Sequence, residues 1–346
     1  MLGGGIFVTQ NKTLPGAYVN FVNASAANSA VGERGVVAIA LSLGVSPGKV
    51  IEVTQSDFVT NAETLLGAKY TADELKPLRE IFLHANKVYV YDNAESNDNV
   101  EATIAALEPY EFNVLCAYTN ASADITAYIT AIKSWRDTLG KKCQLIVYNT
   151  GSADYEGVIN VVSTVSDDGA DAFALTAWVA GVQAGCAVNS SCTNMIYDGE
   201  YNVVTNKTQA QLETCLKNGE FVFHMVYGNV RVLEDINSFT TVTDDKGEDF
   251  KSNQTIRVID QIANDIAKLF NIKFLGKIPN NSSGRLSLWG DIVAHHRALE
   301  TVQAIENFDA NLVTVEQGAN KKSVVVNDAI TVTNAMSTLY MTIVVQ

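Results

Sequence analysis

The sequence predicts a mostly parallel α/β sheet covered by helices on both faces, with a small β-rich unit before it, an α+β region after it and extended chain ends. Three observations lead there. From Lys87 to Tyr227, apolar β-prone runs alternate with helical patterns, the rhythm of parallel strands joined by helical crossovers. Two long helical patterns follow, the first strongly amphipathic. Both ends carry apolar β-prone pieces, at the start punctuated by glycine and proline.

Residues 1–23 read as an extended arm. Gly3 to Gly5 and the Leu14-Pro15-Gly16 turn flank the pieces Ile6 to Thr9 and Ala17 to Val22. Gly35 to Leu41 and Lys49 to Thr54 read as strands of a small β-rich unit, and Thr71 to Ala85 as a helix with Pro77 in its first turns. The alternating region places strands at 87–92, 112–118, 143–149, 157–163 and 221–227. Its helices run from Asn99 to Leu107, Ser122 to Leu139, Asp171 to Gly185 and Thr208 to Asn218. Thr255 to Phe270 puts Ile256, Ile259, Ile262, Ala263, Ile266 and Phe270 on one helical face. Arg285 to Phe308 does the same with Trp289, Ile292, Val293, His296, Leu299 and Ile305. Strand-like segments close the chain: Leu312 to Val315, Ser323 to Val326, Ala329 to Thr333 and Leu339 to Val345.

The balance of charge narrows the function. Thirty-eight acidic against 24 basic residues give a formal net charge of −14, which disfavours nucleic acid or anionic lipid as partner, since both need a basic patch. Five scattered cysteines form no C-x-x-C pair, so a zinc ribbon or dithiol redox site is not indicated. They read as buried free thiols, with a Cys186–Cys192 bridge as the alternative. The start, MLGGGIFVTQNK, has neither the positive region nor the continuous apolar run of a secretory signal. Residues 169–188 are small and apolar, but Asp171 and Gln183 interrupt them and no Lys or Arg lies between Lys142 and Lys207. They suit a helix packed closely on a sheet better than a membrane span.

A doubly covered sheet invites a search for a cofactor or catalytic site. No G-x-G-x-x-G follows a strand, and neither G-x-x-x-x-G-K-[ST] nor G-x-S-x-G occurs. His84 lies near a helix end and His224 inside an apolar strand; both read as satisfied structural residues. His295 and His296 are neighbours on a helix, about 100° apart in direction, which sets them against holding one metal. Asp167-Asp168 and Asp244-Asp245 sit in polar loops with nothing apolar nearby to raise a pKa. The expectation is therefore no catalytic, cofactor or metal site and no enzyme activity.

Several stretches resemble the tail sheath proteins of contractile phages and phage-tail-like bacteriocins, above all the short sheaths of Gram-positive hosts. Leu14-Pro15-Gly16-Ala17-Tyr18 and Gly32-Glu33-Arg34-Gly35-Val36-Val37-Ala38 resemble that family's arm and first strand. Ala184-Gly185 with Asn189-Ser190-Ser191-Cys192-Thr193 resembles its A-G-x-x-x-N-x-S-x-T pattern. Glu234-Asp235-Ile236-Asn237-Ser238-Phe239-Thr240 is similar to its I-N-T-L-T strand, with Ser238-Phe239 where Thr-Leu is usual. Arg257-Val258-Ile259-Asp260, Gly276-Lys277-Ile278-Pro279-Asn280-Asn281, Gly284-Arg285 and the closing Ala335-Met336-Ser337-Thr338-Leu339-Tyr340 continue the likeness in order.

The resemblance implies a central domain of subtilisin-like topology without a protease site, a small β-sandwich, a C-terminal α+β domain, and arms that add strands to neighbouring subunits. With the element pattern it suggests an N-terminal arm at 1–23, a small β-rich domain at 24–92, a central α/β domain at 93–228, a C-terminal α+β domain at 229–315, and C-terminal strands and arm at 316–346. Apolar β-prone ends are an edge-strand hazard for a monomer and make sense as donated strands. The expected strand-exchange residues are Ile6, Val8, Tyr18, Val19 and Phe21 at one end and Leu339, Tyr340, Met341, Ile343 and Val345 at the other. A local basic cluster, Lys268, Lys273, Lys277, Arg285 and Arg297, is expected to face an inner tube, a solvated helical face being the alternative. The implied partners are further copies in a helical stack of six-fold rings, the inner tail tube protein, and baseplate and tail-terminator proteins. Neither nucleic acid nor membrane insertion is expected. Assembly in the host cytoplasm, into a virion tail or a released particle, is the implied setting. Another homopolymer, such as a surface-layer or tail-tube protein, and an α/β enzyme with an unusual site are the rival readings.

Overall fold

The computed structural model describes residues 34–94, 99–151 and 153–344. The expected N-terminal arm, with Ile6, Val8, Tyr18, Val19 and Phe21, lies outside these, as does Val345. The first half of the described chain runs β1 (Val36–Leu41), β2 (Val50–Thr54), α1 (Gln55–Leu66), α2 (Lys76–Phe82), β3 (Lys87–Asp92), α3 (Val100–Leu107), β4 (Val114–Cys116), α4 (Ser122–Ser134), β5 (Gln144–Tyr148), β6 (Val158–Val161) and α5 (Leu175–Gly185). Then follow α6 (Gln209–Lys217), β7 (Glu220–Phe221), β8 (Phe223–Val226), β9 (Asn229–Val232), α7 (Asn253–Leu269), α8 (Ser282–Thr301), β10 (Ile305–Glu306), β11 (Thr314–Gln317), β12 (Val324–Asn327) and β13 (Thr331–Val332).

Among the described residues the main sheet has seven strands in the order β2-β3-β1-β4-β5-β6-β7. Every neighbouring pair is parallel except β2 with β3 at one edge. Side chains alternate between the two faces, as a pleated strand requires. Val37, Ile39, Val88, Val90, Val114, Cys116, Ile146 and Ile159 meet α1, α2 and α5 on one side. Ala38, Tyr89, Leu115, Leu145, Val147 and Val158 meet α3 and α4 on the other. Because both faces are covered, the strands read in sequence as continuous apolar runs and not as alternating ones.

The small-residue segment forms α5, buried from Leu175 to Ala184. Its composition has a local cause: a Cβ on Gly181 would sit 2.5 Å from the carbonyl oxygen of Ile81, so α2 can pass this close only over glycine. No helix among the described residues is long and apolar enough to cross a membrane. The cysteines are free. In place of a bridge, the Gln183 amide donates to Cys192 Sγ at 3.3 Å.

The mixed architecture agrees with the sequence: a mostly parallel sheet flanked by helices, with small two-stranded sheets beside it. Its partition does not. The strands assigned to a separate unit at 24–92 are β1, β2 and β3 of the main sheet, with β1 between β3 and β4, so the 92/93 boundary cuts one core. The boundary at 228/229 falls in the β8–β9 hairpin, and that at 315/316 inside β11. The run 221–227 is two elements, β7 joining the main sheet and β8 pairing with β9. The second long helix ends at Thr301 and not at Phe308, because Gln303 takes a left-handed φ of 59° and Ile305 pairs with Val332.

The C-terminal region is built on α7 and α8. Ile256, Ile259 and Ile262 pack with Leu299, Ile305 and Ile330, while Leu288, Ile292 and Val293 pack beneath the β11–β12 hairpin. The opposite face of α7 is polar and equally buried: Asn253 to Ala263 are all inside. This face meets the main sheet domain in an ionic seam. Arg136 grips Asp260 with two bonds of 2.6 and 2.8 Å, and Arg257 reaches Asp235 at 3.1 Å and the Gln183 amide oxygen at 2.7 Å. Burial depresses the basicity of Arg136, and the Asp260 carboxylate more than reverses this, holding the guanidinium well above its ordinary range.

Candidate functional site

The chain end follows from the pairing just described. β13 lies against β10, and the Thr333 N–H continues the pairing onto the Ala304 carbonyl at 3.0 Å. Beyond Asn334 the chain leaves the body. Ala335 to Val344 are all exposed, including Leu339 at 83%, Tyr340 at 93% and Val344 at 79%. A folded domain ordinarily shields such residues, and a contiguous apolar stretch left in solvent marks an interaction site. In an extended chain Leu339, Met341 and Ile343 share one face, with Tyr340, Thr342 and Val344 on the other. Within the subunit no strand partner is provided for this segment among the described residues.

A second surface lies at the turn joining α7 to α8. Lys268, Lys273 and Lys277 are exposed there, and Arg285 is half-buried. Lys273 Nζ pairs with Asp291 at 2.5 Å, Lys277 Nζ caps the Ile272 carbonyl, and Arg285 is turned onto Asn280 at 3.0 Å. Arg297 is exposed but does not join them: twelve residues of helix put it about 18 Å beyond Arg285. Sequence reasoning found the cations and missed their neighbours. Ile272, Ile278 and Leu286 are all exposed around the same turn, so the tip is an apolar patch rimmed by lysines. The signal for this was available in the isoleucines of Asn271-Ile272-Lys273 and Lys277-Ile278, which fit no helical stripe.

Neither surface offers catalytic chemistry. Among the described residues no group of three or more His, Cys, Asp or Glu is placed to hold a metal ion. The two adjacent histidines, expected to diverge, instead bend together, with 3.0 Å between their Nδ1 atoms. His296 Nε2 bonds to Asp328, and His295 Nε2 lies 3.5 Å from Asp265. Burial depresses the pKa of His295 against the pull of Asp265. These contacts tie α8 to α7 and to the loop before β13.

Residues 93–238 match the family model described as the phage tail sheath protein central domain, and residues 245–346 match the phage tail sheath C-terminal domain. The tail sheath protein of Clostridium phage phiCD119 is 30% identical over 245 residues, 70% of this chain and 67% of that protein. The phage-like element PBSX protein XkdK of Bacillus subtilis is 29% identical over 267 residues, 73% of this chain; the chain spans 57% of that relative's length. The crystal structure of the sheath tail protein from Desulfitobacterium hafniense superposes with a TM-score of 0.78 at 27% identity, covering 93% of this chain and 98% of that one.

Proposed function

Because this chain belongs to the phage tail sheath family, we propose that it is the structural subunit of a contractile tail sheath, polymerising helically around an inner tube and contracting to drive that tube through a target envelope. The observation that carries this reading is the C-terminal segment, exposed over Ala335 to Val344 and mostly apolar from Leu339 onward. Such a strand suits donation to a neighbouring subunit. Head-to-tail contacts whose rotation does not close into a ring propagate a helical array, and such contacts between rings would stack them. The extended array is a trapped state, and contraction releases energy by burying further interface while donated strands keep the lattice connected. Further copies in six-fold rings, a tube protein, and baseplate and terminator proteins are the partners, with assembly in the host cytoplasm. Catalysis has no part in it.

Electron microscopy of the purified protein in negative stain tests the proposal. Wide, hollow, cross-striated cylinders are expected; monomers at every concentration, or flat two-dimensional arrays, would overturn it.

The lysine-rimmed tip is the proposed tube contact. Its lysines make exposed ion pairs of about 0–1 kcal/mol each, weak enough to break during contraction, while Ile272 and Leu286 supply apolar grip. Lys273→Glu combined with Lys277→Glu is expected to abolish co-sedimentation with tubes while sheath-only polymers still form. Normal co-sedimentation at physiological salt would rule out this face.

A further inference from the structure

The exposed tail has a root, and the root is held by side chains where backbone pairing stops. After Thr333 the next partner of the chain is Gln254, the second residue of α7, itself 2% exposed. Its Nε2 donates to the Thr333 carbonyl at 3.1 Å, and its Oε1 accepts from the Ala335 N–H at 3.0 Å. One primary amide thus offers an N–H and a C=O to residues i and i+2 of the tail, the same pair of groups that one residue of an adjacent parallel strand would offer. The residue between them is fixed independently. Asn334 Nδ2 donates to Thr255 Oγ1 at 3.2 Å, and its Oδ1 accepts from the hydroxyls of Thr255 at 3.3 Å and Ser252 at 3.4 Å.

This anchorage stands on a rigid base. The same turn of α7 is set into the main domain by Asn253, whose amide donates to Asp235 at 3.0 Å and to the Ile236 carbonyl at 2.8 Å, and by Arg257 on Asp235. Past Ala335 the lever is long. Nine extended residues, Met336 to Val344, span about 30 Å, so a swing of about 10° at the root carries the tip about 5 Å, as far as the roughly 4.8 Å between neighbouring strands. A tail free to pivot would therefore miss its partner edge by a whole strand.

We infer that Gln254 is a positioning residue, a side-chain stand-in for a strand that sets the direction and register in which the C-terminal segment leaves the subunit. This rests on the proposed strand exchange and adds to it the element that aims the donated strand. Gln254 is buried within its own subunit, so it acts through the tail.

The test uses the full chain. Below the assembly threshold, hydrogen exchange of the monomer should show the Ala335 amide protected, and Gln254→Leu should abolish that protection while leaving Thr333, paired to Ala304, as it was. The melting transition should be unchanged, and the concentration needed for polymerisation should rise tenfold or more. Asn334→Ala, which truncates a side chain that is itself exposed, should raise it in the same direction and provides the reading if Gln254→Leu fails to fold. Polymerisation at the wild-type threshold by a variant that has lost protection at Ala335 overturns the inference. A chain lacking residues 337–346 is the control. If that truncation polymerises undiminished, strand exchange itself fails; if it stays monomeric while the Gln254 and Asn334 variants assemble normally, only the positioning role fails.

Discussion

Deleting residues 337–346 should turn a polymerising protein into a folded monomer. The deleted residues that the structure describes, Ser337 to Val344, are exposed, so their loss removes no core, and the truncated chain should keep its helicity and a cooperative melt. What it loses lies between subunits. A donated strand of this length forms roughly five backbone hydrogen bonds at about 0.5–1.5 kcal/mol net each, besides burying one apolar face at roughly 25 cal/mol per Å². Since each 1.4 kcal/mol is tenfold in an equilibrium constant, the threshold for assembly should rise by three orders of magnitude or more. Light scattering and sedimentation across a concentration series would measure it. An unfolded truncation, showing that the segment folds back onto its own subunit, or one that polymerises as well as the full chain, would end the strand-exchange account.

The second large effect is on stability. Arg136 and Asp260 are joined by two bonds, and their side chains are 4% and 7% exposed. Gly157 makes room for them, since a Cβ there would lie 2.5 Å from Arg136 Cδ. Asp260→Ala leaves a buried guanidinium with the Cys143 carbonyl as its remaining hydrogen-bond partner among the described residues, and breaking such a pair costs about 3–5 kcal/mol. Removing both charges at once is different: Arg136→Met with Asp260→Leu should recover most of the loss, because neither desolvated charge remains. Urea unfolding of the two singles and the double forms the cycle. If Asp260→Ala costs less than 1 kcal/mol, the seam between α7 and the main sheet is not a determinant of stability.

What the sequence could and could not reveal divides along local and non-local lines. The strands at 87–92, 143–149 and 157–163 were legible because a strand buried on both faces is a continuous apolar run, whatever it pairs with. Which strands it pairs with is not written in that run, so Gly35 to Leu41 was placed in a unit of its own although β1 is central to the main sheet. α1 was missed because only Phe58, Ala62 and Leu66 of its residues are buried, a single row too narrow to stand out among polar neighbours. The polar face of α7 carries no sign in the sequence that it is buried. Arg257 and Asp260 are inside because Asp235 and Arg136, 22 and 124 residues away, wait for them. The alternation of Leu339 to Val344 marked the tail directly, and the lysines at the α7–α8 turn marked its charge. Gln254 carried no signal at all, since its role depends on where residues 333 and 335 come to lie.

The cysteines bear on how the proposed polymer would respond to oxidants. Cys116, Cys143, Cys192 and Cys215 are buried and Cys186 is half-buried. Desolvation pushes the Cys116 thiol up to about 12 and those of Cys143 and Cys215 to about 11. Thiol oxidation and disulfide exchange proceed through the thiolate, and at neutral pH these groups hold almost none. On the proposed assembly in a host cytoplasm and release from it, a polymer of such subunits would meet oxidants without cross-linking its copies, so its lattice would stay as free to rearrange as when it was made.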